Sequence, residues 1–214
     1  MDDKIVNNYD MQAVAARSLF LKWDQDKLTK RNGIESDKDY IYVRFFDEKY
    51  SVNRHTGELL REDKDAPVDY NAVMVIYDLL CNSAPEATVS MQWLSLENLS
   101  PHSNFGSKEK SLFSPVAESF SGKVEQLRQV CERLGGFDTA KSDAGFMFNV
   151  FPFLPMIFQF WEGDDEFAPK VSYLFDKNTL DFVCFESAWF IAAHLTEKLR
   201  AEMDAEFSMG FYGR

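Results

Sequence analysis

The sequence is poor in cysteine, glycine, proline and basic side chains, and each shortage excludes a class of protein. Its 214 residues include 3 Cys, 10 Gly and 7 Pro, too few for a disulfide-stapled, collagen-like or linker-dominated chain. Lys and Arg total 23 against 35 Asp and Glu, which gives a formal net charge of −12. Proteins that wrap duplex nucleic acid or lie on anionic membranes need basic patches. We therefore expect neither a nucleic-acid partner nor a membrane partner.

The cysteines and the standard motifs exclude further classes. Cys81, Cys131 and Cys184 are widely spaced and contain no C-x-x-C pair. Cys131 lies in a helical apolar stripe and Cys184 follows Phe182-Val183, so both are predicted to be small buried hydrophobic residues. The sequence contains no phosphate-binding loop, dinucleotide-binding glycine motif, nucleophile elbow or H-E-x-x-H motif. We expect no metal site and no cofactor.

No targeting or membrane segment stands out. The chain opens with Met1-Asp2-Asp3-Lys4 and lacks the basic start and apolar run of a secretory signal, so a cytoplasmic protein is expected. The longest uncharged stretch, residues 144–161, has Pro152 and Pro155 near its centre. This arrangement favours two strands around a proline turn over a membrane helix.

Apolar and aromatic residues are abundant. The chain is 45% hydrophobic and has 20 Phe, 8 Tyr and 4 Trp, enough for a buried core. Periodicity predicts helices over about 7–27, 69–82, 112–120, 124–134 and 186–203, and strands over about 40–46, 50–52, 146–151, 157–161 and 171–175. This order predicts an α+β fold, an antiparallel or mixed β-sheet with helices packed on one face. We expect one domain over residues 1–204 and a mobile C-terminal tail over 205–214.

An acidic turn between two predicted strands is the best functional candidate. Carboxylates at strand ends can bind hard cations or transfer protons, although their order is not that of an EF-hand loop. A solvated hairpin turn with Gly163 at its bend explains the same pattern without a function. The flanking aromatic residues either line a ligand pocket or anchor the turn on the core. The candidate residues are Trp161, Glu162, Asp164, Asp165, Glu166, Phe167 and Asp176.

The histidines form no group along the sequence. His194 falls beside the apolar stripe of the last predicted helix, which predicts a surface position. His102 lies in an irregular polar stretch, and no acid or nucleophile can be assigned to it.

Several stretches match the pattern of a known family. They are W-E-G-D-D-E-F at 161–167 with Pro169 and L-F-D at 174–176, L-G-G at 134–136, D-A-G-F at 143–146, and F-P-F-L-P at 151–155. Through these residues the chain resembles a bacterial and archaeal family, domain of unknown function family 3786, over nearly its whole length. The resemblance implies a single domain and no particular activity. Some relatives carry a fused iron–sulfur domain of the kind found in corrinoid proteins of anaerobes, and this chain lacks its four clustered cysteines.

Two functional hypotheses of different classes remain. The first is a non-catalytic binding or accessory domain that contacts a protein partner or a small ligand through the aromatic surface near Trp161 and Phe167. The alternative is an enzyme that uses the carboxylates between Glu162 and Asp176, with or without a divalent cation. It predicts that at least two of these side chains share one cavity. A third hypothesis, an accessory role in corrinoid or one-carbon metabolism, depends on the family resemblance alone.

Overall fold

The computed structural model describes residues 8–31, 34–62, 68–100 and 113–203, which form helices and strands in mixed order. The helices are α1 (Asn8–Phe20), α2 (Gln25–Arg31), α3 (Tyr70–Asn82), α4 (Ser114–Phe120), α5 (Val124–Arg133) and α6 (Phe185–Glu202). The strands are β1 (Glu35–Ser36), β2 (Tyr40–Phe45), β3 (Glu48–Asn53), β4 (Leu59–Arg61), β5 (Trp93–Ser95), β6 (Phe137–Asp138), β7 (Ala144–Phe151), β8 (Leu154–Trp161) and β9 (Lys170–Asp176).

The strands divide between two antiparallel sheets. One has the order β1-β2-β3-β4 and the other the order β5-β9-β8-β7-β6. The predicted α+β class with antiparallel pairing is confirmed. The division into two sheets was not predicted, because alternation identifies strands and their faces but not their partners.

The hairpin of β2 and β3 connects the two sheets. Its turn consists of Phe46 and Asp47, with φ of 47° and 60°, the left-handed conformation that two-residue hairpin turns require. Glycine or asparagine normally occupies such positions, so this turn depends on its surroundings. The amide of Phe46 donates to the carbonyl oxygen of Val150 at the end of β7, with an N–O distance of 3.0 Å.

Helix α6 packs against both sheets. The His194 ring lies 4.7 Å from that of Phe45 on the four-stranded sheet, and Thr196 hydrogen-bonds the hydroxyl of Tyr173 on the five-stranded sheet. Helix α3 packs beside α6. It begins as predicted at Asp69, whose side chain accepts a hydrogen bond from the Ala72 amide at 3.0 Å.

The helices α4 and α5 cover one face of the five-stranded sheet. The ring of Phe120 in α4 packs edge-on against Phe158 and Phe160, and the Arg128 guanidinium of α5 lies over the Phe146 ring. Packing of helices on one sheet face is thus confirmed. Gly135, with φ of 82°, follows the end of α5 and caps its C-terminus.

Some sequence predictions of local structure were wrong. The predicted helix over 7–27 is interrupted, since α1 ends at Phe20 and α2 begins at Gln25. Asp24 precedes α2, and its carboxylate accepts a hydrogen bond from the Lys27 amide, which starts a new helix. The strands β4, β5 and β6 were not predicted, because they have only two or three residues, too few for alternation to be visible. The tail over 205–214 and His102 lie outside the described residues. None of the described helices is long and apolar enough to cross a membrane.

Candidate functional site

Glu162 in the acidic turn caps a neighbouring connection between helices. Its carboxylate accepts hydrogen bonds from the Ser121 hydroxyl and from the Gly122 amide at 2.8 Å, between α4 and α5. Its own amide donates to the Asp143 carboxylate at 2.7 Å. The hydrogen bond from Ser121 and those from the amides of Gly122 and Gly163 lower the pKa of Glu162, since they stabilise the charged form.

The other residues of the turn have separate environments. The Asp164 carboxylate accepts hydrogen bonds from the amides of Glu166 and Phe167, each at 2.8 Å, and therefore closes the turn on itself. Asp165 and Glu166 are exposed. Trp161 is half-buried, and the Lys170 ammonium lies over its ring, 5.5 Å from the ring centroid. Phe167 is 70% exposed, so its side chain does not anchor the turn on the core.

Asp176 lies at the opposite end of β9 from this turn. The strand begins at Lys170, which pairs with Trp161, and ends at Asp176, so the two ends are about 20 Å apart at the usual rise per residue. The buried Asp176 carboxylate accepts hydrogen bonds from the amides of Ser90, Met91 and Asn178 and from the Ser90 hydroxyl. It stabilises the loop before β5.

The carboxylates of the candidate turn thus do not converge on one point. Glu162 and Asp164 bind amides of different segments, and Asp176 is at the far end of the strand. Among the residues that the structure describes, no group of three or more His, Cys, Asp or Glu side chains is placed to hold a metal ion. A function for this turn stays a prediction.

A cavity of about 500 Å³ lies where the four-stranded sheet meets the turn between β7 and β8. This volume is within the usual range for small-molecule sites. Aromatic rings from both sheets line it, together with charged side chains from the four-stranded sheet and its flanks. The lining residues are Ile34, Glu35, Tyr42, Val43, Arg44, Lys49, Tyr50, Glu62, Phe151, Pro152 and Phe153.

Packing and hydrogen bonds fix the aromatic side chains of the cavity. The Phe153 ring stacks between those of Phe151 and Phe182, at 5.7 Å from each. The Tyr42 hydroxyl donates to Asp37, and that of Tyr50 donates to Glu48, both at 2.8 Å. The cavity wall is therefore largely preorganised, which lowers the entropic cost of binding.

Next to the lining residue Tyr50, Glu48 joins two strands to α6. One carboxylate oxygen lies 2.6 Å from the Lys198 ammonium, and the other lies 3.3 Å from the Arg61 guanidinium. Burial alone would raise the pKa of Glu48. The hydrogen bonds from Lys198 and Tyr50, with the charges of Lys198 and Arg61, outweigh burial and lower it to about 2. We call Glu48, Tyr50, Arg61 and Lys198 the Glu48 cluster.

His194 is buried, so the prediction of a surface position was wrong. Only 3% of the residue is exposed, because α6 contacts a sheet on each side and its buried face is wider than its aliphatic stripe. Its Nδ1 lies 3.2 Å from the Asp69 carboxylate, and its buried Nε2 has no hydrogen-bond partner. Burial opposes ionisation of Asp69, but the interaction with His194, the hydrogen bond from the Ala72 amide and the charge of Lys198 together outweigh it, so the pKa of Asp69 is lowered.

The cysteine predictions had mixed outcomes. Cys131 is buried, as predicted, and burial raises the pKa of its thiol. Cys184 is exposed, contrary to prediction. It is the residue that precedes α6, and its amide donates to the Asp78 carboxylate at 2.7 Å. The buried residues Phe182 and Val183 precede it, but burial does not continue to the residue at the helix start. The neighbouring apolar residues therefore gave a wrong prediction for Cys184.

The cavity and the Glu48 cluster were not predicted from the sequence. Tyr42 and Arg44 alternate with buried residues as in any half-exposed strand, and Lys49 lies on the next strand. Lys198 lies in a helix far from Glu48 in the sequence, so nothing local indicates their contact. The signal in the sequence is that basic Arg44 and Lys49 lie close together, and the structure places them on either side of the turn between β2 and β3.

The fold and the cavity define an α+β domain of two antiparallel sheets with a cavity of ligand size between them. The chain belongs to the family described as domain of unknown function (DUF3786), whose model matches residues 24–198. This confirms the resemblance noted in the sequence, and the matched range includes both the cavity and the acidic turn. No curated protein and no solved structure matched the chain.

Proposed function

We propose that this is a non-catalytic binding domain and that it binds a small organic molecule in the cavity between the two sheets. The observation that carries this proposal is the cavity itself, about 500 Å³ in volume. Apolar walls with a few polar groups are typical of ligand sites, and here Phe151 and Phe153 provide the apolar part while Arg44 and Lys49 provide charge.

The composition of the lining supports binding rather than catalysis. Among the described lining residues there is no Ser, Thr, Cys or His, the side chains that most often act as nucleophile or as general base. The hydroxyl of Tyr50 is engaged with Glu48. Burial and the hydrogen bond to Glu48 raise the pKa of Tyr50, so it keeps its proton at neutral pH.

A fluorescent apolar probe tests this proposal. N-phenyl-1-naphthylamine, which is neutral and becomes brighter in apolar sites, is titrated into the wild type and two variants. Ile34→Trp fills the cavity from a half-buried lining position, whereas Leu60→Trp places the same side chain at an exposed position on β4 that does not line the cavity. Thermal unfolding confirms that each variant is folded.

We expect the wild type and Leu60→Trp to bind the probe with equal affinity and Ile34→Trp to bind it at least about tenfold more weakly, since a Trp side chain occupies much of the space that the probe needs. If Ile34→Trp does not fold, Phe153→Ala serves instead, because it removes a wall and should also weaken binding. Equal binding by the wild type and the cavity variants contradicts the proposal.

Phe167 supports a second candidate, contact with a protein partner through the acidic turn. The ring is 70% exposed between Asp165 and Glu166, which are themselves exposed. An exposed aromatic residue with flanking carboxylates fits a partner with an apolar pocket rimmed by Lys or Arg. A photo-crosslinking residue at position 167 should capture one protein in cells of the host, and Asp165→Asn with Glu166→Gln should reduce that product. Unselective products that do not respond to these substitutions contradict this candidate.

A further inference from the structure

We infer that the ligand of the cavity carries an anionic head group, which binds between Arg44 and Lys49, on an apolar or aromatic body. This inference rests on the proposed function, because it specifies the ligand class of the same cavity.

Arg44 and Lys49 are a directly opposed pair of like charges. They are cross-strand partners on β2 and β3, where side chains on one face lie about 5 Å apart at Cβ and like charges repel. Both are exposed and line the cavity. An anion between them would convert this repulsion into two attractive contacts.

No carboxylate of the described chain forms a salt bridge with the pair. Salt bridges with N–O distances up to 4.0 Å form around Arg54, Arg61, Arg128 and Lys198, but none involves Arg44 or Lys49. Their positive charges are therefore available to a ligand.

Two carboxylates in the lining limit where the anion can bind. The Glu62 amide donates to the Lys49 carbonyl oxygen at 2.9 Å, so Glu62 is beside Lys49 on the strand side away from Arg44. Glu35 on β1 pairs with Tyr42 on β2, which is two residues from Arg44 on the same strand. Both acids flank the cation pair rather than separate it. They disfavour an anion elsewhere in the cavity and so direct the head group to Arg44 and Lys49.

The apolar part of the lining accommodates the rest of the ligand. Phe151 ends β7, and Pro152 and Phe153 form the turn between β7 and β8. All three are apolar, and stacking fixes the Phe153 ring. The planar guanidinium of Arg44 matches a carboxylate or a phosphate through two parallel hydrogen bonds, while Lys49 adds a point charge. The shared chemistry is therefore an oxyanion on an apolar body.

Four naphthalene compounds of one ring size test the inference. 2-Naphthoate and 2-naphthyl phosphate are anionic, 2-naphthamide is neutral, and 2-naphthylmethylamine is cationic at pH 7. Each is titrated by competition against N-phenyl-1-naphthylamine with the wild type, Arg44→Gln, Lys49→Gln and Lys177→Gln. Lys177 is an exposed lysine after β9 that does not line the cavity, so its variant controls for net charge.

We expect at least one anion to bind the wild type about tenfold or more tightly than the amide, as for hydrogen bonds to charged groups. The ratio of the two affinities should fall several-fold in Arg44→Gln and in Lys49→Gln and stay unchanged in Lys177→Gln. The tighter of the two anions identifies the source as a carboxylate or a phosphate.

The possible failures are distinguishable. Equal affinity for the anions and the amide, or a preference for the amine, overturns the anionic head group but leaves the cavity as a binding site. An unchanged ratio in Arg44→Gln and Lys49→Gln also overturns it. Absence of binding by the neutral probe and by all four compounds contradicts the proposed function as well.

Discussion

The acidic turn and the Glu48 cluster use carboxylates in different ways. In the turn, Glu162 and Asp164 accept hydrogen bonds from nearby backbone amides at the edge of the five-stranded sheet. Glu48, by contrast, is largely buried and contacts cations from β4 and from α6. Many carboxylates adjacent in sequence thus form a local turn, whereas one carboxylate with distant partners connects elements of the fold.

The two regions differ in role: one supports the cavity wall, and the other exposes a side chain to solvent. The Glu48 cluster stabilises the cavity wall, because Tyr50 belongs to both the cluster and the cavity lining. The turn instead leaves Phe167 exposed at its tip. Substitutions in the two regions should therefore differ strongly in their effect on stability.

The largest effect is expected from Glu48→Gln. The variant removes the carboxylate that contacts the largely buried Lys198 and Arg61, which should lower the free energy of unfolding by about 3 kcal/mol at pH 7. Urea unfolding measures the change, with Glu166→Gln as the matched exposed control, for which we expect a change near zero. Equal effects of the two substitutions would remove the distinction between the regions.

The same comparison should depend on pH. The pKa of Glu48 is lowered from 4.5 to about 2 in the folded protein, so the folded state binds fewer protons than the unfolded state between these values. The contribution of Glu48 is then complete above about pH 4.5 and is lost as the pH falls towards 2, a change of roughly 3 kcal/mol at most. The difference in unfolding free energy between the wild type and Glu48→Gln should therefore decrease from pH 6 to pH 3. A difference that is constant with pH contradicts this assignment.

Asp176→Asn should have the next largest effect. Asp176 is buried and accepts hydrogen bonds from three amides and a hydroxyl, and an amide side chain presents two donors where acceptors are needed. We expect a loss of about 2 kcal/mol, measured by urea unfolding against Asp165→Asn. If both variants are as stable as the wild type, the Asp176 carboxylate is not the support of the loop before β5.

The smallest effect is expected from Glu162→Gln. The side chain is half-buried and keeps one oxygen that can accept from Ser121 or Gly122. Replacement of a capping carboxylate by an amide should lower the free energy of unfolding by about 1 kcal/mol or less. The decrease in the thermal midpoint measures this change. A loss as large as that of Glu48→Gln would place the turn among the main supports of the fold.

Features with local causes were predictable from the sequence. Asp69 at the start of α3 and Gly135 after α5 are helix boundaries set by neighbouring residues. The α+β class and the hairpin of β7 and β8 follow from periodicity. The family could be recognised from local runs of residues.

Features with distant causes were not predictable. The burial of His194 depends on two sheets that meet α6, and the contact of Glu48 with Lys198 joins residues far apart in the sequence. The cavity forms because the hairpin of β2 and β3 meets the turn after β7. Periodicity records which side of an element is apolar, but not what packs against it.

The most direct test of the binding cavity is methyl NMR of isoleucine-labelled protein during addition of N-phenyl-1-naphthylamine. Ile34 lines the cavity, whereas Ile157 lies on β8 and does not. Ring currents act over a few ångströms, so binding in the cavity should shift the Ile34 methyl resonance in a saturable manner and leave that of Ile157 unchanged. A saturable shift of Ile157 with a static Ile34, or no shift of either, contradicts the proposal that this cavity is the binding site.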